Sequence, residues 1–434
     1  MQVSVETTSG LERKMTVQVP AERIEDEVNS RLRDLARRVR LHGFRPGKVP
    51  LKVVKQQYHN QVRGEVLSEV MQQSFQEAVI QEKLHPAGGP TIEPVNTQPG
   101  EALEYSATFE VYPEIVLAAF DDVSIQRPVA EVTDADVEAM IEKLRKQRTT
   151  WDPVEREAAD GDQVTISFEG TVDGEPFSGG KAENVPLVLG SGNMIPGFED
   201  QLTGAKSGEH RTVEVTFPED YPREELAGKE ARFEVDVATV SEAKLPEADD
   251  EFARTFGIAE GGMDALRKEV RGNMERELHD KIRAKLKQQV MDAILDKNEL
   301  EVPAALVDQE VDRAMEQAKQ QQPETMRNMQ LPRELFEESA RRRVKLGLML
   351  GEVLRANDIK VDADRVRTTL ESLAGTYDNP QEVIDAYRKN RSLMQELEGH
   401  VLEEQIVDFV LEQAQVVDQP ASFEELANAE DARA

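Results

Sequence analysis

The stretch HGFRPGKVP at residues 42–50 places a stiff basic loop between two helical patterns of an acidic chain. The 434-residue chain has a formal net charge of -32, yet residues 31–55 hold nine Lys and Arg against a single acid. Pro46 fixes one backbone dihedral, and Gly43 and Gly47 permit positive φ, so the tip of the loop is preformed. This island of charge predicts a local anionic partner. On spacing alone, a solvated turn whose phenylalanine folds back under its own helix explains the loop equally well.

Outward from this basic loop, the first 112 residues show the pattern of an α+β domain. Ile24, Val28 and Leu32 recur at a spacing of four, which predicts a helix with one buried face and arginines on the other. Period-two alternation predicts the strands. The expected elements are a hairpin at 2–19, helices at 21–40, 51–58 and 62–84, and a strand at 103–111.

A structured linker, a β-rich domain and a helical region follow in that order. Residues 113–150 contain a strand near 123–127 and then Thr133 and Asp136 at the spacing of a helix capping box. From 151 to 246, short β-type runs alternate with glycine turns such as VDGEPF and LGSGN. The remainder, 247–434, is almost wholly helical, with periodic stretches at 262–297, 304–321, 333–357 and 392–414.

The helical region contains an internal repeat. The stretch ILDKNELEVPAALV (294–307) aligns without gaps on VLRANDIKVDADRV (353–366), 59 residues further on, and FVLEQAQVVDQPAS (409–422) follows the same scheme more loosely. In each of the first two, a helix ends at an asparagine, a short extended segment follows, and a new helix begins. We expect two or three similar corners from which helices project as arms. An ordinary helical bundle is the alternative.

Composition excludes several classes of chemistry. The chain has no cysteine, which removes disulfides, thiolate metal sites and cysteine nucleophiles. Its six histidines show no HExxH or other ligand spacing, and no GxxxxGK[ST] phosphate loop is present, so we expect no metal, no cofactor and no use of ATP. No stretch approaches the roughly 18 apolar residues that span a bilayer. The first 20 residues lack the pattern of a signal peptide. We therefore expect no membrane partner and a cytoplasmic location.

The motif GFRPGKVP resembles the ribosome-docking signature G-F-R-x-G-x-x-P of the bacterial trigger factor family. The order of the predicted domains is similar to that family throughout the chain. The resemblance implies that Gly43, Phe44, Arg45 and Lys48 contact a ribosomal protein and adjacent rRNA on the large subunit, near the exit tunnel. It also implies nascent and unfolded polypeptides as clients and a homodimer of the free protein. Many relatives carry a basic residue where this chain has Pro46, which removes one charge from the contact.

Residues 161–240 resemble peptidyl-prolyl isomerases of the FKBP type across the whole domain. The matching stretches are GDQVTISFEGTVDGEPFSGG, LGSGNMIPGFEDQLTGAKSGE, TFPEDY and ARFEVDVATV. Phe198 stands where most FKBPs have tryptophan, and Ser178 stands where many have aspartate. The resemblance implies a catalytic proline pocket lined by Phe168, Phe177, Met194, Ile195, Phe198, Phe217, Tyr221 and Phe233. Packing of a small β-domain core explains Phe168 and Phe233 about as well.

Taken together, these patterns predict a multidomain α+β fold. It comprises an N-terminal α+β docking domain (1–112), a linker (113–150), a β-rich FKBP-like middle domain (151–246) and an all-α chaperone domain with projecting arms (247–434). The predicted function is an ATP-independent, ribosome-associated chaperone that binds nascent chains and isomerises X-Pro bonds. One alternative is a free-standing soluble prolyl isomerase. The other is an RNA-binding regulator that acts through residues 31–55, although this segment lacks the interleaved aromatic residues of single-strand binders.

Overall fold

Strands dominate the first half of the chain, and helices dominate the second. The computed structural model describes residues 1–42, 44, 49–223, 225–321, 332–375, 377 and 379–428. The first half contains β1 (Gln2–Ser9), β2 (Glu12–Val19), α1 (Ala21–Arg38), α2 (Leu51–Gln81), β3 (Thr91–Asn96), β4 (Leu103–Glu110), β5 (Ser124–Val129), α3 (Asp134–Gln147), β6 (Thr150–Val154), β7 (Gln163–Val172), β8 (Glu175–Val188), α4 (Phe198–Leu202), β9 (His210–Thr216) and β10 (Glu230–Lys244). The second half contains α5 (Asp250–Arg254), α6 (Gly262–Lys297), α7 (Ala304–Gln321), α8 (Glu334–Ala356), α9 (Ala363–Ala374), α10 (Pro380–Lys389), α11 (Arg391–Gln413), β11 (Gln415–Pro420) and α12 (Phe423–Asn428).

Contacts between backbones divide the chain into two compact units. The first unit comprises residues 1–127 and 284–418, and the second comprises residues 128–283 and 419–434. No helix in the described ranges is long and apolar enough to cross a membrane.

The N-terminal part of the first unit packs a helical hairpin on an antiparallel sheet of order β1-β2-β4-β3. Met15, Val17 and Val19 alternate into the core of the sheet because successive side chains of a strand point to opposite faces. Helices α1 and α2 run antiparallel, since Arg23 pairs with Glu77 at one end and Arg31 pairs with Glu69 further along. The predicted α+β arrangement is therefore present.

One local prediction in this part was wrong, and one strand was missed. The stretches 51–58 and 62–84 belong to one continuous helix, α2, because no Gly or Pro lies between residues 58 and 62 to interrupt it. Helix α1 ends at Arg38, within two residues of its expected end. Strand β3 was missed because its Pro94 argues against a strand, and the sheet tolerates this proline only because β3 is an edge strand.

The predicted corners of the helical region are present. Helix α6 ends at Lys297 and α7 begins at Ala304, while α8 ends at Ala356 and α9 begins at Ala363, so both bounds repeat after 59 residues. The two asparagines make the same bond: Asn298 Nδ2 donates to the carbonyl of Ile294 at 2.8 Å, and Asn357 Nδ2 donates to that of Val353 at 2.9 Å. Projection of helices as arms stays a prediction. Helix α9 begins where the repeat predicts a new helix, whereas α10 was not predicted, since it is short and mostly polar.

The second unit contains the β-rich domain and a cluster of helices. The strands form an antiparallel sheet of order β6-β10-β7-β8, and β9 also pairs with the long strand β10. Its core includes Val164, Ile166, Val235 and Val237. Helix α3 begins with the capping box predicted from Thr133 and Asp136, in which each side chain bonds to the backbone of the other residue.

Candidate functional site

The second unit brings five phenylalanine residues into one network of ring contacts, with Phe233 at its centre. The centroid of the Phe233 ring on β10 lies 5.3 Å from that of Phe198 on α4 and 5.9 Å from that of Phe168 on β7. It lies 6.0 Å from the centroid of Phe177 on β8, which in turn contacts Phe217 at 5.8 Å. All these pairs meet edge to face, the geometry that aromatic quadrupoles favour. Residues from four separate elements thus build one apolar surface.

All eight residues of the predicted pocket belong to this assembly, which we call the apolar cluster. Phe198, Phe217 and Phe233 are buried and form its floor. The others pack against the same core while remaining half-buried, and they form its rim: Phe168, Phe177, Met194, Ile195 and Tyr221. A buried floor beneath an accessible rim is the arrangement that a site for a small apolar group requires.

Two glycines that the sequence interpretation missed allow the rings to approach the backbone. A Cβ atom on Gly170 would lie 2.4 Å from Cε1 of Phe233, and one on Gly180 would lie 2.9 Å from Cε1 of Phe177. Both distances are shorter than any normal contact, so only glycine fits at these points of β7 and β8. An isolated glycine within a strand pattern can indicate such close approach, and Gly170 offered that signal in the sequence, whereas Gly180 directly follows Gly179 and resembled part of a turn.

The loop before α4 carries Met194 and Ile195 to the rim. It turns into the helix at Gly197, whose φ of +83° lies in the left-handed region that favours glycine. The amide of Phe198 donates to the carbonyl of Ile195 at 3.1 Å, which closes the turn. The Arg223 guanidinium donates to the carbonyl of Ser178, so it ties the segment after Tyr221 to β8.

The basic loop is described only in part. Phe44 is 40% exposed, so its ring is accessible and is not folded away under α1. Gly43, Arg45 and Lys48, the other predicted contact residues, lie outside the described residues. The helices on either side of the loop form a recess of about 480 Å³, and its lining includes Arg31, Arg38 and Tyr58.

Models of known protein families match three parts of the chain. The model described as bacterial trigger factor protein matches residues 1–144, and the model of the trigger factor C-terminus matches residues 262–412. The chain belongs to the bacterial trigger factor family. Between these ranges, residues 154–238 match the model of FKBP-type peptidyl-prolyl cis-trans isomerases. The predicted family is therefore confirmed.

Individual relatives agree with the trigger factor assignment. The chain is 53% identical to the trigger factor of Thioalkalivibrio sulfidiphilus over 99% of this chain and 98% of that protein. It is also 53% identical to the trigger factor of Pseudomonas syringae pv. syringae, over 98% of each chain. A solved structure from work on promiscuous substrate recognition by the trigger factor chaperone shares the fold, with a TM-score of 0.51 at 19% identity, over 95% of this chain and 99% of that chain.

The function class follows from trigger factor membership. The chain is a chaperone that carries an FKBP-type peptidyl-prolyl isomerase domain, and membership of the trigger factor family implies interaction with the ribosome and with nascent chains. The predicted multidomain fold, with an N-terminal domain, a β-rich middle domain and a helical C-terminal region, is confirmed. The comparisons favour this function over the free-standing isomerase and the RNA-binding regulator.

Proposed function

We propose that the apolar cluster is the prolyl-binding site of the isomerase. The observation that carries this proposal is the packing of five half-buried apolar side chains, from β7, β8, the loop before α4 and Tyr221, against three buried aromatic rings in one cluster. A proline ring is small and apolar, and it contacts aromatic faces without needing a hydrogen bond. The half-buried rim contacts the proline ring and the flanking residues of the client, while the buried rings of the floor support the rim from within the core.

The chemistry that we propose at this site needs neither a nucleophile nor a metal. Rotation about a peptide bond has a barrier of roughly 18–20 kcal/mol because resonance stabilises the planar, charge-separated form. Resonance is lost in the twisted transition state, so an apolar surround destabilises the planar form relative to the transition state. Each 1.4 kcal/mol or so removed from the barrier accelerates isomerisation about tenfold. The site therefore acts by selective desolvation of the amide.

Rim variants test this proposal. We expect Ile195→Ala and Phe177→Ala to lower kcat/KM for an X-Pro peptide at least about tenfold, because each removes contacts to the bound segment. Phe198→Ala is a poorer probe, since a fully buried phenylalanine costs about 3–5 kcal/mol on truncation and its loss would also destabilise the domain. The measurement is peptide isomerisation by the full chain, together with thermal unfolding.

Val164→Ala is the matched control. Val164 is fully buried in the same core but does not belong to the apolar cluster. This variant should lower the melting temperature and leave kcat/KM unchanged. Wild-type turnover by both rim variants would place the prolyl-binding site elsewhere.

We propose further that the basic loop contacts a ribosomal protein and adjacent rRNA beside the exit tunnel, through Gly43, Phe44, Arg45 and Lys48. Two features of the described residues support this. The Phe44 ring is accessible, and the segment that leads into the loop exposes several arginines, three on the last turns of α1 and one after its end: Arg33, Arg37, Arg38 and Arg40. An aromatic tip with surrounding positive charge suits a protein recess next to phosphates.

A groove in the first unit is the surface that we propose for client segments. It has a volume of about 1300 Å³ and lies between the end of α2, the segment after β4 and the end of α8. Ile80, Tyr112 and Val116 line it with exposed fractions of 78%, 46% and 90%. Exposed apolar side chains gathered around one groove are typical of an interaction surface. Unfolded polypeptides offer apolar side chains to fill such a groove.

We also propose the domain division 1–112, 113–150, 151–246 and 247–434, a cytoplasmic location, and a homodimer of the free protein. The three matched family ranges support the division, because they leave gaps at 145–153 and 239–261, near two of its boundaries. The prediction of no cofactor and no metal is kept, since the chemistry proposed above requires neither.

A further inference from the structure

Glu199 is a buried carboxylate that the proposed chemistry does not use. It is the second residue of α4, only 7% of its surface is exposed, and it follows Phe198 of the floor. Its two oxygens face back toward the loop that leads to the rim. Oε2 accepts a hydrogen bond from the amide of Gly192 at 3.1 Å, and Oε1 accepts from the amide of Met194 at 3.1 Å and from Ser191 Oγ at 3.3 Å.

Hydrogen bonds from this loop, rather than an ion pair, stabilise the charge of Glu199. Burial alone would raise the pKa of the carboxyl, but the hydrogen bonds from Gly192, Met194 and Ser191 outweigh burial and hold the pKa below its ordinary value. Asp162, the other deeply buried carboxylate among the described residues of this domain, is instead paired with Arg156 and accepts from the amide of Ala159. Glu199 is thus bound to the peptide groups of one short segment.

We propose that Glu199 is a positioning residue of the isomerase, whose carboxylate holds the loop 191–195 so that Met194 and Ile195 form the rim. This inference rests on the proposed prolyl-binding site. Three donors converge on the side chain, and an ionised carboxylate is the group that offers acceptors only. A glutamine at this position has the same shape but would direct its NH2 group at one set of donors. Bonds to the loop would then be lost, and the rim would shift away from the floor.

The variants Glu199→Gln and Glu199→Asp test the inference in the full chain. We expect Glu199→Gln to lower kcat/KM about 10- to 100-fold, a size typical of a small misplacement at a binding site. The loss should fall mainly on KM, because the rim contacts the client segment in the ground state and in the transition state alike. Glu199→Asp keeps the charge but is one methylene shorter, so it should recover part of the loss.

A spectroscopic readout separates positioning from plain stability. In spectra of ¹³C-methyl-labelled methionine, the Met194 signal should shift in Glu199→Gln, because its methyl group moves relative to the rings of the cluster. Asp162→Asn is the matched control, since it neutralises a buried carboxylate that does not bind the loop. It should lower the melting temperature without changing KM or the Met194 signal.

The possible outcomes are distinct. A wild-type KM and an unmoved Met194 signal in Glu199→Gln would overturn the inference. It would also be overturned if Asp162→Asn lost as much kcat/KM as Glu199→Gln when the two variants are equally destabilised. If the rim variants Ile195→Ala and Phe177→Ala lose activity while Glu199→Gln keeps it, only this inference fails. If the rim variants also keep activity, the proposed prolyl-binding site fails as well.

Discussion

Two glycines, Gly170 and Gly180, determine how closely the aromatic rings approach the backbone of the sheet. Phe233 lies at the centre of the apolar cluster, and its ring occupies the space that a side chain on Gly170 would need. Gly170 has no unusual backbone dihedral that would require glycine, so its role is steric. The same holds for Gly180 under the ring of Phe177. The floor and rim therefore depend on two positions that carry no functional group.

Gly170→Ala should distort the apolar cluster. The added methyl group would lie 2.4 Å from Phe233, so the Phe233 ring must move or the strand must shift. We expect kcat/KM for an X-Pro peptide to fall at least about tenfold and stability to fall by about 1–3 kcal/mol, as in other overpacked cores. Peptide isomerisation and thermal unfolding of the full chain measure the two effects.

The control at this scale is Gly272→Ala, in the interior of α6. A Cβ atom there meets nothing within 4 Å, and alanine stabilises a helix interior by about 0.5–1 kcal/mol relative to glycine. This variant should unfold at a slightly higher temperature and isomerise normally. If Gly170→Ala also isomerises normally, the packing of Phe233 has no part in the function.

At the scale of elements, the asparagines of the two repeated corners differ in their hydrogen-bond partners. Asn298 is 4% exposed, and its Oδ1 accepts a hydrogen bond from the amide of Ala118 at 2.8 Å, which fixes the linker segment against the end of α6. Its counterpart Asn357 is exposed and bonds only within its own corner among the described residues. The same motif thus anchors a separate segment in one copy but not in the other.

We expect Asn298→Ala to increase the local opening of the linker around Ala118, whereas Asn357→Ala should leave the linker unchanged. Removing Asn298 leaves the half-buried amide of Ala118 without its acceptor, which costs about 0.5–1.5 kcal/mol, the net contribution of a typical hydrogen bond. Hydrogen exchange followed by mass spectrometry should show faster exchange in residues 113–120 of Asn298→Ala and unchanged exchange there in Asn357→Ala. Equal exchange in both variants would mean that the bond to Ala118 does not hold the linker.

Long periodic elements could be predicted from the sequence, and elements that depend on distant partners could not. The bounds of α6 and α7 and the capping box of α3 agree with the prediction, because helix periodicity and capping are local properties. Strand β3 contains a proline and exists only because β4 offers it an edge. Glu199 was missed for the same reason, since no pattern around a single glutamate shows that a loop amide will face it.

The site was predictable to the extent that a family resemblance specifies it. The eight residues of the apolar cluster could be named because the FKBP pattern fixes their positions, and the structure brings them together. Their division into a buried floor and an accessible rim could not be predicted, since it depends on how β7, β8 and α4 place their rings around Phe233. Exposure is a property of the folded sheet rather than of any residue type.

For the whole molecule, charge and apolar exposure are placed on different surfaces of the first unit. The basic island of residues 31–55 lies on α1, the basic loop and the start of α2. The groove with Ile80, Tyr112 and Val116 begins at the other end of α2. Since α2 is 31 residues long, and a helix rises about 1.5 Å per residue, its ends are about 45 Å apart. Two partners of different chemistry can therefore bind without competing for the same side chains.

Two double variants should separate these functions. Phe44→Ala with Arg45→Ala should abolish co-sedimentation with vacant bacterial ribosomes near physiological salt and leave suppression of aggregation of an unfolded protein intact. Ile80→Asp with Val116→Asp should do the opposite, because charge in the groove repels apolar segments. Wild-type co-sedimentation should weaken as salt rises, since exposed ionic contacts are screened over about 8–10 Å at these ionic strengths.

The control for the loop variant is Tyr112→Ala with Lys14→Ala, which also removes an exposed aromatic ring and one exposed positive charge from the first unit. It should sediment with ribosomes like the wild type, because neither residue belongs to the basic island. If it also fails to sediment, binding follows total charge and exposed aromatic area rather than the basic loop. If the Ile80→Asp, Val116→Asp variant still suppresses aggregation, clients bind elsewhere on the chaperone, and the groove is not the client surface.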